Sequence, residues 1–138
     1  MKVFKFGGAS VKDAEGVRNV ARVLKHFPED DLLIVVSAMG KTTNALEEVV
    51  WGWQAGKDVS NLIRILERDH LLVQMEVAPN DQRTIETLKK GFDLLRIKTA
   101  EKPSTEPDRD YDQIVGNVEH WSTLIVSSYL NATGILNR

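Results

Sequence analysis

Apolar positions follow two rhythms along this chain. Val3, Phe4 and Phe6 open it as a short apolar run, with Lys5 near its carboxyl end, and "LLIVVSA" at 32–38 is a longer, continuous one. Runs of this kind suit strands of a parallel sheet covered on both faces. Between them Val17, Val20, Ala21 and Leu24 recur at helical spacing, and Asp13 is placed as the N-cap of a helix reaching about Phe27. Pro28 and the acidic run Glu29, Asp30, Asp31 end that helix. Strand, helix, strand at this spacing is a βαβ unit, right-handed by default.

From Thr43 the rhythm is helical. Thr42 or Thr43 is placed to cap a helix with Leu46, Val49 and Val50 inward, ending near Gly56. Ser60 to Val77 forms a second, with Leu62, Ile65, Leu66, Leu72 and Val73 as its apolar positions. Gln82 to Lys98 forms a third around Ile85, Leu88, Phe92 and Leu95. "EKPSTEPDRD" reads as an exposed loop. Asp112 to Thr133 returns to helix, Gly134 takes a C-cap position, and "GILNR" begins a further strand. Two strands cannot cover so many helices, since sheets have about 4 to 6 strands. The expected fold is therefore α/β, with a helical insert at about 43–99 and a sheet whose remainder is expected beyond Arg138.

Composition narrows the classes of function. With 138 residues, 42% hydrophobic and 28% charged, the chain suits one soluble globular unit. A formal net charge of -2 supplies no basic field, so neither nucleic acid nor an anionic membrane is an expected partner. The absence of cysteine excludes disulfides, thiolate metal sites and a Cys nucleophile, and it fits a reducing cytoplasm. No apolar run approaches the roughly 18 residues of a membrane helix, and no signal-peptide core opens the chain. His26 and His70 lack metal-ligand spacing, and His120 reads as a structural histidine. Trp51, Trp53 and Trp121 read as core or interface residues.

Three stretches could carry chemistry. In Lys5-Phe6-Gly7-Gly8-Ala9-Ser10, a strand runs into paired glycines whose N–H groups can approach an anion unobstructed, with Lys5 as counter-charge. The plain alternative is a tight turn beside a surface lysine. In "VVSAMGKTTNAL", Ser37 and Ala38 leave the strand, Gly40 permits a sharp turn and Thr43 enters a helix whose amino end suits a carboxylate or phosphate. An ordinary capped connection is the alternative, and the spacing is not that of a P-loop. In "IVGNVEHWSTLIV", Glu119 interrupts an apolar helix and could hold an ammonium group, or could simply face solvent.

Together these stretches resemble the aspartate kinases of the amino acid kinase family. "KFGGASV" is similar to that family's amino-terminal signature, "VSAMGKTTNAL" to its second strand–turn–helix segment, and "IVGNVEHWSTLIVSSYLNATGI" to the helix with its substrate-binding glutamate. The resemblance implies a three-layer αβα domain and the reaction of ATP with L-aspartate to give 4-phospho-L-aspartate. It implies that Lys5 neutralises the transferring phosphoryl group, that Gly7, Gly8 and Ser10 bind phosphate, and that Ser37, Ala38, Thr43 and Glu119 bind the substrate. It also implies ATP with Mg2+, the nucleotide pocket lying mostly outside this chain.

Two positions depart from the family pattern: Ala9 replaces the usual hydroxyl residue, and Val118 stands where the glutamate is usually preceded by glycine. The family's later phosphate-binding segment is not in the sequence. The expectation is therefore the amino-terminal, substrate-side part of a kinase domain, inactive alone and prone to self-association through its uncovered edge. Two alternatives stay open at this point: a non-catalytic oligomerising or ligand-binding module, and a kinase of glutamate or its acetyl derivative.

Overall fold

The computed structural model describes all of residues 1–138. Its elements in chain order are β1 (Lys2–Phe6), α1 (Ala14–Leu24), β2 (Leu32–Val36), α2 (Thr42–Gln54), α3 (Ser60–Val77), α4 (Gln82–Ala100), α5 (Pro107–Val115) and α6 (Val118–Ala132). β1 and β2 pair in parallel, with Lys2 opposite Leu32 and Phe6 opposite Val36. The α/β class and the opening βαβ unit are as the pattern predicts. Asp13 caps α1, accepting a hydrogen bond from the Gly16 amide at 2.8 Å.

The sheet is covered on one face only. Phe4, Phe6, Ile34 and Val36 pack on the core, α6 lies against β2, and α1 lies against α3 and α6. The other face carries Val3, Lys5, Leu33 and Val35; Leu33 is 49% exposed and Val35 42%. The expected burial of both strand faces is thus corrected: no element of residues 1–138 packs on that second face.

Four further expectations change. Residues 112–133 are not one helix, because the chain turns at Gly116-Asn117 between α5 and α6. α5 begins inside the stretch read as an exposed loop, where Pro107 supplies a helix-compatible φ in the first turn. That stretch is also tied down: Asp110 is buried and accepts from the Ser104 amide at 2.8 Å. The final residues form no strand; instead Ile135 N–H donates to Leu130 and Gly134 N–H to Asn131, a Schellman close with Gly134 at φ +87°. Finally, the core stripe of α3 is Ile63, Leu66, His70, Gln74 and Val77, while Leu72 faces solvent. His70, not His120, is the buried histidine.

Candidate active site at the carboxyl edge of the sheet

Because β1 and β2 are parallel and in register, both strands end on the same edge, where ligands of open α/β sheets bind. Ser37 N–H extends the ladder by one bond to the Phe6 carbonyl at 2.9 Å. Beyond it the two connecting loops touch. Gly8 carbonyl accepts from the Gly40 amide at 3.0 Å, and Ser10 N–H closes the turn on the Gly7 carbonyl at 3.0 Å. A Cβ on Gly8 would stand 2.8 Å from the Ala38 oxygen and 3.1 Å from that of Gly40, so only glycine permits this contact. Gly7 faces open space, and Gly40 takes φ +51°, in the left-handed region glycine tolerates.

The backbone donors here are unspent. The amides of Gly7, Gly8 and Ala9 donate to no protein acceptor. Lys5 is exposed and enters no ion pair. It belongs to the open face of the sheet with Val3, while α6, the helix that carries Glu119, packs on the opposite face.

The second segment is built differently from the expected threonine cap. α2 begins at Thr42 with Lys41 at its N-cap and no side-chain cap bond. Thr42 turns back instead, its buried Oγ1 donating to the Met39 carbonyl at 2.5 Å and fixing the loop. Ala38 and Met39 are buried, which anchors the backbone; Ser37 and Thr43 are half-buried. The amides of Thr43 and Asn44 find no protein acceptor, so the amino end of α2 adds two free donors and a positive dipole end to the same edge.

Glu119 lies in the first turn of α6, exposed, where the helix dipole favours a carboxylate. Its backbone carbonyl accepts from Thr123 and lies 3.0 Å from the Ser122 hydroxyl oxygen, but its carboxylate has no protein partner. Val118, the departure beside it, is buried and is the first residue of the helix. Sequence reasoning missed Ser122, which is fully buried and donates to the Ser37 carbonyl at 2.7 Å. Its signal was a hydroxyl among Trp121, Ile125 and Val126, since a polar group on an apolar stripe needs a partner. A cleft of about 260 Å³ adjoins the edge, lined in part by Lys12, Gly40, Lys41 and Thr42. A larger one, about 360 Å³, lies away from it around Gly91 and Trp121. No group of three or more His, Asp or Glu gathers where a metal ion could be held.

A parallel βαβ edge whose glycine amides and uncapped helix end stand free has the geometry to receive an anion in an α/β domain. The family model described as "Amino acid kinase family" matches residues 1–138, and the chain belongs to that family. Among curated proteins, Aspartokinase 1, chloroplastic, of Arabidopsis thaliana is 35% identical over 99% of this chain and 24% of its own length. Aspartokinase 2, chloroplastic, of the same plant is 36% identical over 96% of this chain and 25% of its own length. This chain thus spans about a quarter of the length of these two relatives. Among solved structures, E. coli aspartokinase III in complex with aspartate and ADP (R-state) superposes with a TM-score of 0.79. That match covers 95% of this chain and 29% of the other at 24% identity, and it shows the fold.

Proposed function

We propose that this chain forms the phosphoryl-holding and amino-acid-holding side of an ATP-dependent aspartate kinase producing 4-phospho-L-aspartate. The observation that carries this reading is the cluster of unspent donors, the Gly7 and Gly8 amides, beside an unpaired Lys5. In the proposed step a side-chain carboxylate oxygen of L-aspartate attacks the γ-phosphorus of ATP. One P–O bond forms, the bond to the bridging oxygen breaks, and ADP leaves with that electron pair.

Such transfer needs positioning and charge stabilisation more than covalent help from the protein. The Gly7 and Gly8 amides and the Ser10 hydroxyl serve the phosphoryl oxygens, and the Lys5 ammonium offsets their charge. Ser37, Ala38, Thr43 and the free amides of α2 receive a substrate carboxylate, and Glu119 receives the ammonium. Glu119 has no cation of its own in the protein, which favours a free amino acid over an acetylated one. Mg2+ would come with the nucleotide phosphates, and no cluster of His, Asp or Glu in residues 1–138 fits it.

No helix is long and apolar enough to cross a membrane, and the absence of cysteine suits a reducing compartment such as the cytoplasm. The exposed Val3, Leu33 and Val35 support self-association as part of the proposal.

Lys5→Met tests the reading in the protein that carries this chain, by ADP release and acyl-phosphate trapping with hydroxylamine. The expected loss in kcat is about 100- to 1,000-fold, as for other preorganised charge-stabilising groups. The melting temperature stays unchanged, because Lys5 is exposed and unpaired. Activity within about threefold of wild type would overturn the phosphoryl role.

A further inference from the structure

Ser37 and Glu119 belong to different elements, and one buried hydroxyl joins them. Ser122 sits one turn along α6 from Glu119 and is 0% exposed. Its Oγ donates to the Ser37 carbonyl at 2.7 Å, while the Glu119 carbonyl lies 3.0 Å from the same oxygen. A hydroxyl carries one proton, so the helix-internal acceptor competes for it and the shorter bond, between elements, takes precedence. No other side-chain hydrogen bond ties α6 to the segment 37–43.

We propose that Ser122 is a positioning residue for the amino-acid substrate. It sets the spacing between the Glu119 carboxylate and the Ser37–Thr43 segment, so that the ammonium and carboxylates of one small molecule are met together. This rests on the aspartate kinase reading above. The physical argument is economy of length: a four-carbon diacid has no slack, so a displacement of about 1 Å between its two holders costs binding and rate. Alanine at 122 leaves Glu119 and Ser37 chemically intact. It strips the Ser37 carbonyl of its donor, and that unpaired group then works against the contact between helix and strand end.

The test is a calorimetric titration, in the protein that carries this chain and with ADP present. The ligands are L-aspartate and succinate, which lacks the amino group; the proteins are wild type, Glu119→Gln, Ser122→Ala and the double variant. Ser122→Ala is expected to weaken L-aspartate about tenfold and succinate less than about twofold, with the double variant no weaker than Glu119→Gln alone. Equal losses for both ligands would assign Ser122 a structural role only and overturn the proposal, as would unchanged L-aspartate affinity. If Glu119→Gln weakens L-aspartate and Ser122→Ala does not, positioning falls while the kinase reading stands. If Glu119→Gln changes nothing, the substrate assignment itself falls, and positioning with it. Should Ser122→Ala fail to fold, Ser122→Cys keeps the volume with a weaker donor. It is expected to weaken L-aspartate more than succinate, on a smaller scale than Ser122→Ala, and equal losses would overturn the proposal.

Discussion

The carboxyl edge of the sheet and the seam between α3, α4 and α6 treat polar groups in opposite ways. At the edge, the amides of Gly7, Gly8, Thr43 and Asn44 are all left without protein partners, in reach of solvent. In the seam the polar side chains are tied to one another, with only His70 Nε2 and Gln74 Oε1 left unpartnered. Gln74 Nε2 donates to Ser128 Oγ at 2.8 Å, and Ser128 donates to Asp81 Oδ2 at 2.6 Å. Asp81 also accepts from the Thr84 amide and hydroxyl. The Ser128 hydroxyl, with help from Thr84 and against burial, holds the Asp81 carboxyl below its usual range. Around this relay Phe92 stacks on Trp121 at 4.2 Å, and both flank the His70 ring. Satisfied polar groups make a seam rigid; unsatisfied ones make an edge able to bind. Stability and chemistry should therefore separate under mutation.

Phe92→Ala is the largest expected effect. Phe92 is fully buried, and its removal should cost about 3–5 kcal/mol by chemical unfolding. Lys5→Met is its mirror image, removing transfer while leaving the unfolding midpoint in place. A fall in stability of more than about 1 kcal/mol with Lys5→Met would erase the distinction.

The two adjacent glycines sharpen it. Gly8→Ala forces a Cβ against the Ala38 and Gly40 backbone, so a loss of about 1–3 kcal/mol is expected together with weakened activity. Gly7→Ala meets nothing within 4 Å and has no positive φ, so its stability should move by less than about 0.5 kcal/mol. Equal effects at the two positions would mean that the loops do not touch as described.

Titration in the seam gives a modest effect set by pH rather than by substitution. Burial lowers the His70 pKa below its ordinary 6.5, partly offset by the Nδ1–H bond to the Leu66 carbonyl. Below that value the unfolded chain takes up a proton that the folded chain resists, so stability falls as pH drops through about 6.5 and downward. The slope is at most about 1.4 kcal/mol per pH unit. Urea midpoints at about pH 7 and about pH 5.5 should differ in wild type and converge in His70→Met.

Much of the seam was legible in the chain, and its polar part was not. Ile85, Leu88, Phe92 and Leu95 repeat at helical spacing and are all buried. His70 and Gln74 occupy the same kind of position on α3, yet hydropathy assigns them outward and Leu72 inward. Their burial depends on Leu66, Ala78 and Ser128, the last lying 54 residues away from Gln74. The same holds for Ser122, whose partner is 85 residues distant.

The amino-acid sequence by itself determined the βαβ start, the helical rhythm after Thr42 and the glycine pair after the first strand, because local spacing and backbone freedom are properties of neighbouring residues. Tertiary structure alone decided which polar residues go inside, that Thr42 locks a loop rather than capping a helix, and that the amides of Gly7 and Gly8 remain unspent. Those outcomes depend on whether a distant partner arrives within hydrogen-bond reach, and no local pattern encodes that distance.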